Sequence, residues 1–532
     1  MTRCDYIVIG GGSAGCVVAG RLSETGRARV TLLEAGPRHD DPRFADLIST
    51  PGSYSQLWFS AAAFQYFAAP EPELRPRGDA HAGGRPVFWP RGKVLGGSGS
   101  INSMVYIRGH RLDYDHWCYL GNEGWSWEEV LPYFKKSENW QHGANEWHGA
   151  GGPVDIRDIE HPHPASRAFV EACVELGYGR SPDFNNGTPQ GAGLYPVYVK
   201  NGRRVSSATA YLDPARSRQN LEIITAARAR RLLFSGSKCV GVEYAAETGR
   251  GTTEVRELRA EKEVIVCAGA VETPKLLMLS GIGPPATLRK FGIPAKSALE
   301  GVGQNLQDHP IAAIGYRYRD GQPSPAPSAG AAEGGLFLHT RPGLEAAPPD
   351  LQYHFAHLML LDPQWVTPAG VPYGFAIVST LIRPQATGEI TLASADSAEP
   401  PVIRANYLSC GQDTDTLLHG VKLARRIAGT RALQAYRGEE VAPGARTSTD
   451  AGLREYLRES VSGLFHGSCT CRMGRDRMAV VDPRLRVHGV TGLRIADASV
   501  MPAITSGNTN APTVMIAEKA ADLIREDARA RS

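Results

Sequence analysis

Val8-Ile9-Gly10-Gly11-Gly12-Ser13-Ala14-Gly15, followed after a short interval by Val30-Thr31-Leu32-Leu33-Glu34-Ala35-Gly36, is the stretch whose reading decides the fold. An apolar strand runs into a glycine turn, a helix follows, and a second apolar strand ends on an acid. Gly10 permits the tight turn, Gly12 lets backbone approach a pyrophosphate, and Gly15 lets the helix pack closely on the sheet. Ser13 and Ala14 lie at the helix N-terminus, where a pyrophosphate is favoured. Glu34, 19 residues beyond Gly15, can accept from both ribose hydroxyls and would repel a 2′-phosphate, with Ala35 beside it. The unit therefore predicts a dinucleotide site of the FAD or NAD kind, not NADP.

At 532 residues, with 42% apolar and 21% charged residues, the chain suits two domains sharing one polypeptide. A net charge of +3 gives no case for nucleic acid, and the short basic cluster Arg228-Ala229-Arg230-Arg231 reads as a solvated face or strand edge. The first strand begins by about Tyr6, leaving no visible secretory leader, and no stretch reaches the ~20 apolar residues of a spanning helix. These features predict a cytoplasmic protein without a transmembrane segment and leave peripheral membrane contact open. Nine scattered cysteines are unlike a disulfide framework, and Cys469-Thr470-Cys471 lacks metal-site spacing, so no metal is expected.

Two more glycine-rich segments follow, Arg91 to Asn102 and Cys267 to Gly283. The second begins at the end of the apolar strand Glu263–Cys267 and opens a helix, as where a strand end meets a cofactor. Leu221–Thr225, Arg231–Phe234 and Cys239–Tyr244 read as a β-meander. Leu351–Phe355, Gly374–Ile382 and Gly388–Leu392 read as an antiparallel sheet with one covered face. Between the halves, Asp320 to Gly335 is rich in Pro, Ala, Ser and Gly and reads as a mobile loop, either a lid or a surface insertion. A helix is expected from Pro512 to Ile524.

With these pieces in order, the chain resembles the GMC (glucose-methanol-choline) flavoprotein oxidoreductases over essentially its whole length. Gly92 to Asn102 resembles the family's first signature and Gly269 to Gly283 the second. Gly303-Gln-Asn-Leu-Gln-Asp-His309 resembles its domain junction, and Phe465-His466 with Asn508 its catalytic positions. Asn102 to His110, Cys469 to Gly474 and Gly507 to Thr513 are most similar to the choline-dehydrogenase and alcohol-dehydrogenase branch.

The resemblance implies an α/β protein: a Rossmann-like FAD-binding domain from residues 1–160, 201–311 and 464–532, and a substrate-binding domain on an antiparallel sheet from residues 161–200 and 312–463. It implies FAD rather than NAD, held by the fingerprint residues together with Gly92, Val94, Gly97, Ser98, Asn102, Met104, Val105, Ala229, Ala268, Gly269, Asp497, Ala498, Asn510 and Thr513. It further implies oxidation of a small primary alcohol, His466 acting as base and Asn508 as partner of the alkoxide, with His354 and Phe465 in the substrate pocket. Oxygen or a quinone is the electron acceptor. Hydroxynitrile lyase or photodecarboxylase chemistry on the same scaffold is the alternative.

Three departures qualify the resemblance. Ile101 stands where covalent members carry a histidine, so FAD is expected to be non-covalent. Gly467 replaces the usual proline after the catalytic histidine. The segment after His309 is short and poor in aromatic residues, which argues against choline and for benzylic, furfuryl or pyridoxine-type alcohols.

Overall fold

The computed structural model describes residues 3–79, 83–248, 252–322, 330, 332–359 and 373–530. β1 (Arg3–Ile9) is buried on both faces and ends at Gly10, after which α1 (Ser13–Ser23) returns across the sheet to β2 (Val30–Leu33). These strands pair in parallel, which the crossover through α1 permits. The sheet runs, edge to edge, Leu221–Ile224, β2, β1, Thr253–Val266, Lys238–Glu247 and Ala227–Ser235. Leu493–Ile495 is added in parallel beside Val264–Val266.

The 14-residue strand Thr253–Val266 belongs to two neighbourhoods. Its second half pairs in parallel with β1, while its first half pairs antiparallel with Lys238–Glu247. The expected meander is therefore displaced by one strand. Leu221–Ile224 is the parallel edge beside β2, and the meander proper is the trio from 227 to 266. Alternating residues alone cannot distinguish a parallel edge strand from the first strand of a meander.

The second sheet is antiparallel, in the order Arg437–Ala442, Pro310–Tyr318, Gly374–Leu381, Leu351–Ala356, Ala332–Leu338 and Gly191–Leu194. The short strand Ser462–Gly463 sits on the start of Pro310–Tyr318. Helices Pro164–Glu175, Gly411–Ala428 and Asp450–Ser460 cover one face. Leu351, Tyr353, Phe355, Phe375 and Ile377 pack there with Phe169, Leu417, Val421 and Leu457. The period of two then turns Gln352, His354, Ala356 and Val378 to the other face, toward the first sheet.

Two further expectations are corrected. Glu389–Thr391 pairs with Val402–Arg404 in a separate ribbon outside the large sheet. Ala332–Leu338 is a fully buried strand, so residues 332–335 are not loop; 323–329 and 331 lie outside the described residues. The C-terminal helix runs Asn510–Ala530, longer than expected at both ends. It packs on α1 through Arg21, whose guanidinium makes bonds of 2.8 to 3.0 Å to the buried carboxylate of Glu518. All nine cysteines are free thiols, and among the described residues no helix is long and apolar enough to cross a membrane.

Candidate active site

One cavity of about 1400 Å³ runs between the two sheets. Its walls at one end are Gly10, Gly12, Ser13, Ala14, Glu34, Ala35, Ala229, Ala268 and Gly269. At the other they are Val105, His354, Val378, Phe465, His466 and Asn508, with Gly92, Gly97, Ser98, Asn102, Met104, Asp497, Ala498, Asn510 and Thr513 between. Two of the sequence-expected residues stand outside the lining. Gly15 packs inside the fold, where a Cβ would lie 1.8 Å from the Gly10 carbonyl oxygen. Val94 is buried in a small apolar cluster with Phe44, Ile48 and Leu57.

The first end fits a dinucleotide. A Cβ on Gly12 would meet no protein atom nearer than the Gly97 Cα at 3.8 Å, so a bare backbone here keeps space open on the cavity side. Glu34 presents both carboxylate oxygens, each already accepting one backbone N–H, from Gly11 and Gly36 at 2.8 Å, with lone pairs left for ribose hydroxyls. Burial pushes its carboxyl up to about 7 against those two bonds. Asp497 accepts from the Gly269 and Ser499 N–H groups and from the Thr273 hydroxyl, which ties the start of the helix Gly269–Leu279 to the cavity wall. Asn510 donates to Ser13 Oγ at 2.9 Å, joining the N-termini of α1 and the C-terminal helix. Asn102 accepts from the Met104 N–H and from the buried Arg204.

At the other end, Phe465 adopts a left-handed backbone (φ 64°), and this turn delivers His466 into the cavity. The His466 backbone N–H donates to Asp308 at 2.6 Å, and Tyr407 donates to the other oxygen of the same carboxylate. Burial raises the Asp308 carboxyl to about 6. His466 Nε2 lies 3.4 Å from Asn508 Nδ2, and His466 Nδ1 lies 2.9 Å from His309 Nδ1. Enclosure on every side but the cavity, with His309, His354 and Arg91 nearby, holds the His466 imidazole well below its ordinary value. His354 is pushed down to about 4 and His309 to about 3, both chiefly by burial. All three rings are therefore neutral at neutral pH.

Sequence reasoning named His466, Asn508, His354 and Phe465, and the fold brings all four to one cavity end. It gave no role to Asp308, His309 or Gln352. The adjacent Asp-His pair closing the Gly303–His309 motif was a usable signal for the first two, whereas nothing local marked Gln352.

Family models for GMC oxidoreductase match residues 4–311 and 384–517. The oxygen-dependent choline dehydrogenase of Brucella suis biovar 1 is 40% identical over 98% of this chain and 95% of its own length. The human mitochondrial choline dehydrogenase is 39% identical over 98% of this chain and 89% of its own. The crystal structure of pyridoxine 4-oxidase from Mesorbium loti superposes with a TM-score of 0.90 at 31% identity, covering 98% of each chain.

Proposed function

The chain belongs to the GMC oxidoreductase family, an FAD-dependent oxidoreductase by that membership, and from this premise we propose that it oxidises a primary alcohol to an aldehyde. The observation that carries the reading is the facing of His466 Nε2 and Asn508 Nδ2, 3.4 Å apart at one end of the cofactor cavity. FAD supplies the hydride acceptor. A hydroxyl oxygen seated against both side chains accepts from the Asn508 amide and gives its proton to His466 Nε2. His466 is ready for that proton because burial keeps it neutral at neutral pH. Asn508 cannot compete for the proton, and its N–H bond strengthens as charge develops on the oxygen. A photodecarboxylation has no hydroxyl proton to remove and does not require this base, whereas cyanohydrin cleavage would use the same base without hydride transfer.

Ile101 lines the cavity and has no nucleophilic atom, so FAD is held non-covalently by the fingerprint turn, Glu34, Asp497 and the start of the C-terminal helix. The dipole of that helix favours negative charge in front of Asn510 and Thr513. The parallel sheet and its C-terminal helix form the FAD-binding part, and the antiparallel sheet carries the substrate.

A small neutral alcohol suits the pocket better than choline. Among the described lining residues the carboxylates are Glu34, Glu272 and Asp497. Each is already engaged: Glu34 and Asp497 by backbone N–H groups, and Glu272 by the Tyr66 hydroxyl and Lys275. No free carboxylate among them remains to face a quaternary ammonium. The cavity lining also carries aromatic rings, among them Tyr54, Phe59, Tyr66 and Phe88, and beside His466 Trp58 and Phe465 pack edge to face at 5.2 Å; these come from segments other than the one after His309. They fit a benzylic or heteroaromatic ring.

Anaerobic mixing of the yellow enzyme with aromatic, aliphatic and choline substrates tests the proposal through bleaching of the flavin. Oxygen or a quinone is then admitted to learn which acceptor restores the colour. His466→Ala should keep FAD and slow reduction by at least about 10²-fold. Wild-type reduction in that variant removes His466 as the base.

A further inference from the structure

A base is useful only if its lone pair faces the substrate, and for a neutral imidazole this depends on which nitrogen carries the proton. A chain of hydrogen bonds leading away from His466 settles that choice. It starts from an atom that can only accept, the Tyr353 backbone oxygen, 2.7 Å from the Tyr195 hydroxyl, so Tyr195 must donate to it. With its proton committed, the Tyr195 oxygen accepts from Gln352 Nε2 at 2.9 Å. The buried Gln352 thereby has its amide nitrogen, not its carbonyl, directed toward the site, and its Oε1 is left without a partner. The same nitrogen lies 3.2 Å from Asn508 Oδ1 and 3.2 Å from His354 Nε2. Asn508 must therefore present its oxygen to Gln352 and its NH₂ to His466, because the reverse orientation would set two donors against each other. His466 Nε2 then accepts, its proton resides on Nδ1, and His309 Nδ1 takes that proton as acceptor at 2.9 Å. His309 in turn carries its proton on Nε2, a buried atom without a hydrogen-bond partner among the described residues.

The geometry points to Gln352 as a positioning residue that, anchored by Tyr195 on a backbone carbonyl and acting through Asn508, fixes the tautomer of His466 with its Nε2 lone pair toward the substrate. Had Tyr195 been free to reverse its hydroxyl, the entire relay could run the other way and leave a proton on Nε2. This inference rests on His466 being the base, and the test keeps the two claims apart.

FAD-loaded enzyme labelled with ¹⁵N-histidine reports the tautomer directly, His466 being assigned by the signals that vanish in His466→Gln. The expected result is an unprotonated Nε2 and a protonated Nδ1; a protonated Nε2 in the wild-type enzyme overturns the inference. Gln352→Leu and Tyr195→Phe should each mix the tautomers and slow flavin reduction about tenfold, the worth of one neutral hydrogen bond, with FAD content and substrate KM unchanged. Gln352→Leu added to Asn508→Ala should cost nothing further; additive losses refute action through Asn508. A His466→Ala enzyme that reduces flavin normally would defeat the base assignment while leaving the nitrogen spectra to be judged on their own.

Discussion

Gly12→Ala separates what the cofactor needs from what the fold needs. The backbone at Gly12 (φ −75°, ψ −166°) is one that any residue adopts, and the added methyl would meet only the Gly97 Cα at 3.8 Å, an ordinary contact. Without cofactor the substitution should stabilise the protein by about 0.4–1 kcal/mol, through loss of disorder in the unfolded chain. With FAD the same methyl occupies the wall of the cavity that the sequence assigns to pyrophosphate. Loss of one N–H bond to a charged phosphate costs about 1.5–3 kcal/mol, which raises the FAD dissociation constant about 10- to 150-fold. Flavin fluorescence titration of apoprotein gives the constant, and circular dichroism on the same samples gives the apoprotein melting curve. A variant that binds FAD as tightly as wild type, or whose apoprotein loses more than about 1 kcal/mol, refutes this division of roles.

Gly15→Ala should behave oppositely. Its methyl would sit 1.8 Å from the Gly10 carbonyl oxygen, so α1 must move off the sheet at a cost of at least about 1–3 kcal/mol, visible as a lower melting temperature even at saturating FAD; an unchanged melt would count against close packing here. The acid limb of kcat/KM should fall below the ordinary imidazole value near pH 6.5: neutral His466 is the active form, and burial together with His309, His354 and Arg91 lowers its pKa. Activity is then flat through neutrality and lost only in acid, whereas a limb at pH 7 or above contradicts the assignment. Arg108→Leu should destabilise by about 3–5 kcal/mol in denaturant unfolding, because Arg108 and Glu138 are fully buried and paired at 2.8 Å and the buried carboxylate would be left with His148 and the Gly149 N–H. A loss under 1 kcal/mol would show that His148 and the Gly149 N–H suffice for Glu138.

The cofactor half was legible because its information is local. Glycine turn, helix and terminal acid lie within the first 36 residues, and their spacing specifies contacts that the fold then makes. The antiparallel sheet was legible as strands but not as an arrangement. Glu389–Thr391 alternates like its neighbours yet pairs elsewhere, and Ala332–Leu338 was hidden behind the Pro/Ala/Gly composition that precedes it. Register is set by partners more than a hundred residues away, as when Gly191–Leu194 docks on Gly334–Phe337. His466 and Asn508, the proposed base and donor, were recognisable from their loops. Gln352 was not, because its chemistry arises only when the strand alternation turns it toward Asn508, 156 residues later.

The cofactor sheet takes β1 from the start of the chain and Leu493–Ile495 from near its end, and α1 is then closed over by Asn510–Ala530. A ribosome therefore releases the N-terminal strand–turn–helix unit long before its neighbours exist. With synthesis at about 5–20 residues per second, the nascent unit waits tens of seconds for its last strand and covering helix. During that interval the antiparallel sheet, whose strands all lie between residues 191 and 463, can already assemble. The cavity is thus completed late, by Asp497 and Asn510, and a ribosome stalled before residue 493 would hold a chain with every strand of the antiparallel sheet and an unfinished parallel one.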